Sequence, residues 1–185
     1  MAVPPVFVSG QVLTAAQMNA VGQWVTQTQT TFSAVSSITA NNIFTSDYQT
    51  YLLVARYTTS STGTGDFQLS VGGTAAATNY NRQTLNAADT VISGARTNSA
   101  TNLPGFLTAT NGAFEALTIA YINGPQLAGP TSFYFFRSSS AGNFTQINTG
   151  IVSAIHTTAT SYDGFAITMS SGTTSGTYTV YGLRP

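Results

Sequence analysis

The chain has 185 residues and no net charge, and only 5% of it is charged, against roughly 25% in ordinary soluble domains. Its five basic residues, Arg56, Arg82, Arg96, Arg137 and Arg184, stand singly, so the clustered cations that neutralise a phosphate backbone are missing and nucleic acid is not an expected partner. Cysteine is absent, which removes disulfide frameworks and thiolate metal sites.

Hydrophobic residues make up 42% and aromatic residues 11% of the chain, enough to offset the entropy of ordering, so the chain reads as folded. Roughly a quarter of it is Ser or Thr, residues that suit strands and turns and keep a surface wet without charge. A net charge near zero favours association. Met1 to Gly10 lacks the basic flank and apolar run of a secretory leader, so a site of action outside a cell would need another route, such as host lysis. No run of about 18 apolar residues occurs, and no membrane insertion is expected.

Residues 1–12 read as an extended arm, because Pro4-Pro5 blocks a helix while Val6, Phe7, Val8 and Val12 give it apolar surface to bury. Thr14 then stands as an N-cap with Gln17 three residues on, a capping box. Val21, Trp24/Val25, Thr28, Phe32 and Val35 follow at three- or four-residue spacing, which predicts an amphipathic helix from Leu13 to about Val35. Such a helix either packs on its own domain or is a self-associating stem, whose seam, with Thr at one position, does not fix the number of strands; because Val21, Trp24 and Phe32 are exposed unless covered, a trimer is expected. The candidate attachment and oligomer surface is therefore Phe7, Leu13, Met18, Val21, Trp24, Val25 and Phe32.

A polar hinge near residues 33–42 leads into runs of β type. Tyr48 to Tyr57, Phe67 to Val71, Phe114 to Ile122, Thr131 to Arg137, Ile147 to His156, Phe165 to Met169 and Tyr178 to Gly182 read as strands, with Gly150 marking a bulge or break. Turn signals separate them, notably Gly72-Gly73, Asp163-Gly164 and Ser171-Gly172. The expected architecture is mainly β: an N-terminal α-helix, then an antiparallel β-sandwich, jelly-roll-like because several connections exceed hairpin length. Residues 1–40 form the attachment unit and residues 41–185 the sandwich head.

The groups available for catalysis are few. Asp47, Asp66, Asp89, Glu115 and Asp163 are the only acids and His156 the only histidine. No Gly-x-Ser-x-Gly elbow accompanies that histidine, the acids fall in no calcium-loop pattern, and a transition-metal cage lacks ligands. No enzyme activity, metal or cofactor is expected. What remains is an uncharged polar surface with aromatics, the chemistry that stacks and hydrogen-bonds sugars. Candidates for it lie in the loop-like stretches 79–82 and 96–102: Tyr80, Arg82, Arg96 and Asn98, with Asn79, Asn81 and Asn102 beside them.

Val6-Phe-Val-Ser-Gly-Gln-Val-Leu-Thr-Ala-Ala-Gln-Met-Asn19 resembles the opening common in tailed-bacteriophage virion proteins. Tyr48-Gln-Thr-Tyr-Leu-Leu-Val, Ser161-Tyr-Asp-Gly-Phe-Ala-Ile-Thr and Gly176-Thr-Tyr-Thr-Val-Tyr-Gly182 are similar to strands of small tail-fibre and receptor-binding β domains. The resemblance covers about a quarter of the chain. It implies a structural virion protein, commonly homotrimeric, with Thr14, Gln17 and Asn19 on the attachment pattern and other virion proteins as partners. A host cell-surface polysaccharide is the ligand implied for a fibre; a head fibre, decoration or collar protein would have a purely structural role.

Overall fold

The structure, a computed structural model, describes residues 10, 12, 24–88, 90–108, 110, 114–140 and 147–183. In chain order its strands are β1 (Trp24–Val35), β2 (Ser37–Ala40), β3 (Thr50–Thr59), β4 (Gly65–Val71), β5 (Thr74–Ala75), β6 (Tyr80–Ala88), β7 (Val91–Ala100), β8 (Leu103–Leu107), β9 (Ala116–Asn123), β10 (Thr131–Ser140), β11 (Ile147–His156), β12 (Gly164–Met169) and β13 (Thr174–Leu183). They form two antiparallel sheets. The larger has eight strands in the order β1-β13-β3-β9-β10-β11-β6-β7; the smaller runs β2-β12-β4-β5, with β8 also paired to β4. The chain crosses between sheets repeatedly, as at β1 to β2, β3 to β4, β8 to β9 and β12 to β13.

Alternation along the strands creates the core. On β3, Tyr51, Leu53, Ala55 and Tyr57 are buried while the residues between them are not; β9 repeats this with Ala116, Thr118, Ala120 and Ile122. The opposing sheet supplies Phe67 and Leu69 from β4 and Phe165 and Ile167 from β12. The ring of Phe67 lies 5.8 Å from Phe133 across the sandwich, 5.0 Å from Phe106 and 5.4 Å from Phe165. A register slip of one residue would turn every one of these rings to water.

Two turns do what their glycines require. Val71 pairs with Thr74 around Gly72-Gly73, both with positive φ (55° and 82°), a two-residue turn of the kind that matches strand twist. Gly150 is not a bulge. β11 pairs with β10 and β6 without a register shift, and a Cβ at Gly150 would lie 2.4 Å from Nε of Arg137, whose side chain fills that space.

The described residues contain no helix, and residues 24–35 of the expected one are strand β1, paired to β13 from Trp24↔Leu183 to Val35↔Thr174. The local sequence explains the correction. Val25, Thr26, Thr28, Thr30, Thr31 and Val35 are β-branched, and alternate Thr-Gln-Thr-Gln suits a period of two better than 3.6. Residues 13–23 of that expected helix, and with them Leu13, Met18 and Val21, lie outside the described residues, as does Phe7. Since β1 and β2 belong to the two sheets, with Ile38 and Ala40 in the core, the sandwich includes residues 24–40 and is not confined to 41–185.

Removing residues 1–40 should therefore abolish the cooperative thermal transition, because it strips one strand from each sheet and uncovers core residues. Phe67→Ala should cost about 3–5 kcal/mol in denaturant unfolding. A truncated chain that melts like the full one would show that β1 and β2 are accessory.

Candidate functional site: an exposed apolar sheet face

The residues expected to bind sugar do not converge. They sit in the hairpin β6–β7, where strands replace the expected loops. Tyr80 is fully buried, its ring 4.4 Å from that of His156 and its hydroxyl accepting the Leu69 N–H at 2.8 Å; burial pushes its pKa up. It cannot offer a stacking face. Arg82 is on the same, inward side and donates from Nη1 to the Pro104 carbonyl at 3.3 Å. Arg96 pairs in register with Gln83, one step out of phase with Arg82, and so lies on the opposite face, where its Nε donates to Asn98 Oδ1 at 3.2 Å. Tyr80 and Arg82 are thus separated by the sheet from Arg96 and Asn98.

Three of the five acids have partners within the fold. Asp66 accepts from Asn102 Nδ2 and from the Gly105 N–H, both at 3.1 Å, where β8 shifts register against β4. Asp163 accepts the Gly72 N–H with its carboxylate (3.0 Å) and those of Ile43 and Phe44 with its carbonyl. Glu115 meets Arg56 at 2.5 Å in an exposed pair, worth little in water. Among the described residues no three His, Cys, Asp or Glu side chains are grouped to hold a metal. Sequence reasoning passed over Arg137, which reaches inward, donating to the Gly105 carbonyl and, at 2.8 Å, to Asn86 Oδ1. Burial lowers its pKa. It fastens β8 to β10 and β6.

His156 is buried at the end of β11 between two tyrosine rings, with Nδ1 3.3 Å from the Tyr162 hydroxyl. Desolvation lowers its pKa, opposed by the backbone of Thr78 and Thr158.

The residues that converge lie on the outward side of the larger sheet. Leu117, Tyr121, Tyr134, Phe136 and Ile155 are each 38–41% exposed, and Leu85 is 50% exposed. Registers place them side by side: Leu52, Tyr121 and Tyr134 form one row, and Val54, Ile119, Phe136, Ile151 and Leu85 the next. Tyr134 and Phe136 meet edge to face at 4.9 Å. Trp24 leans over from β1 to within 6.2 Å of Tyr121. Of the candidate attachment residues that are described, only Trp24 joins this face prominently. Phe32 turns inward and stacks on Tyr178 (6.3 Å), and Val25 is half-buried. The sequence did carry a signal for the face: Phe133-Tyr134-Phe135-Phe136 and Leu117 to Ile122 lack the polar alternation of a strand wet on one side.

Contiguous apolar area of this kind on an outer sheet face is the feature that most often marks a contact surface. Comparison with protein-family models, with curated proteins and with solved structures finds no match for the chain.

The sole histidine gives a clean pH test. Above pH about 6.5 neither state protonates it. As pH falls through that value the unfolded chain takes up a proton that buried His156 resists, so stability should fall by at most about 1.4 kcal/mol per pH unit until the native pKa is reached. His156→Gln should flatten this slope between pH 5 and 6.5 in urea titrations; an unchanged slope would place its cause elsewhere.

Proposed function

We propose that this chain is a structural subunit of a bacteriophage virion, of the small tail-fibre or receptor-binding type. In this reading it assembles as a homotrimer and attaches to other virion proteins through its N-terminal segment. The supporting observation is the wide apolar face on a sandwich almost free of charge, the property of a part that works against other protein. The resemblance of Val6 to Asn19 and of the closing strands to tailed-phage proteins supplies the kind of assembly. The repeated crossing between sheets favours a jelly-roll-like description of the head.

A second reading, a head fibre, decoration or collar protein with no ligand, is favoured by one observation: the separation of Tyr80 and Arg82 from Arg96 and Asn98 removes the expected sugar site. If a fibre holds host polysaccharide, Arg96 and Asn98 are the exposed members left to do it.

Light scattering on the full chain should give a mass near three times 19.3 kDa, and an antibody or gold label should decorate intact phage particles. Whole-cell binding restricted to particular hosts and weakened by Arg96→Ala would select the fibre reading over the decoration reading. A stable monomer with no particle association would remove both.

A further inference from the structure

We propose that the outward face of the eight-stranded sheet is where a second copy of this chain packs. The inference rests on reading the chain as an assembly subunit and adds the place of contact, which is not the leading segment that the sequence pattern singled out.

Segregation is the first argument. Eight of the twelve large hydrophobics exposed among the described residues lie on this one face: Trp24, Leu85, Ile92, Leu117, Tyr121, Tyr134, Phe136 and Ile155. The smaller sheet, by contrast, turns Ser37, Thr39 and Thr168 to solvent. The larger sheet's outer face also exposes Ser132 and Ser153, so what sets it apart is its aromatic and aliphatic residues rather than a lack of hydroxyls.

The size of the face fits a protein partner such as another copy. From β1 to β6 there are six intervals of about 4.8 Å, and eight residues of strand run about 26 Å, so the face measures about 750 Å². That is close to the ~800 Å² that each partner contributes to a standard protein interface. In a trimer the same faces of the two neighbouring copies, meeting around a three-fold axis, can cover it.

Charge agrees. No described charged group stands at the centre of the face: Arg56 and Glu115, 2.5 Å apart and mutually neutralising, lie at one end of it beside Leu117, and Arg96 lies towards the β7 rim. Two copies can therefore meet without like charges opposed at the centre. A strongly charged partner would find nothing to pair with there.

The chain supplies its own reporter, since Trp24 is the only tryptophan. In the full chain, dilution through the association range should shift its emission to the red as mass falls by light scattering. Phe136→Lys should raise the dissociation constant about thirtyfold or more, with the β-sheet circular dichroism retained, whereas Thr168→Lys on the opposite sheet should leave it unchanged. Leu117→Lys serves if Phe136→Lys fails to fold. An assembled wild type whose mass resists both face variants, with constant Trp24 emission, would overturn the surface and leave the subunit reading standing. A wild type monomeric at every concentration would overturn both. A monomer that binds host polysaccharide through this face, lost in Phe136→Lys, would overturn the inference in favour of a carbohydrate platform.

Discussion

Phe67 is the point at which the two sheets are fixed to each other. Its ring touches Phe133 of the larger sheet and Phe106 and Phe165 of its own, and each of those rings touches at least one further aromatic or apolar neighbour. Strand pleat then gives every other residue no choice of side. Once Phe133 and Phe135 are held inward, Tyr134 and Phe136 must face out. The apolar outer face is thus a direct consequence of how β10 is seated, and it persists because β9 and β3 lie in register beside it.

Scarcity of charge is compensated by neutral hydrogen bonds. The Thr59 and Thr110 main chains and hydroxyls bond reciprocally at 2.7–2.8 Å, the Tyr57 hydroxyl takes the Thr108 N–H at 2.7 Å, and Ser60 and Ser61 tie the 60–64 loop to Ser171 and Thr173. Each such bond contributes modestly, about 0.5–1.5 kcal/mol net, but none loses strength to salt as an ion pair does. The two inward arginines fit the same pattern: both spend donors on carbonyls or an amide oxygen. The frame can do without ionic chemistry, and the surface is free to be neutral.

The strands with clean alternation were legible from residues alone. Phe67-Gln-Leu-Ser-Val and Phe165-Ala-Ile-Thr-Met announce β4 and β12, and Tyr51, Leu53, Ala55 and Tyr57 announce β3. β1 was misread because Val21, Trp24, Thr28, Phe32 and Val35 satisfy helical spacing when threonine is counted as apolar; tertiary pairing with β13 settled the matter. β6 and β7 were read as loops for a different reason. They lie towards the rim of the larger sheet, where β7 is almost wholly exposed, and a strand wet on both sides keeps no hydrophobic period. The sugar candidates fell on that hairpin, and the alternation that would have separated Tyr80 from Arg96 was hidden with it. Pairwise apolar rows across strands, which make the outer face, exist only once register is known.

The rim formed by β1 has its own consequence. Its ladder is interrupted twice, between Thr26 and Thr28 and between Phe32 and Val35, the second time with Ala34 at a φ of 52° and its N–H turned to the Ser175 hydroxyl. A flat twelve-residue margin of Thr, Gln and Val with no lysine or proline would be an open template for edge-to-edge polymerisation. These kinks break the template, so endless edge-to-edge growth along β1 is disfavoured.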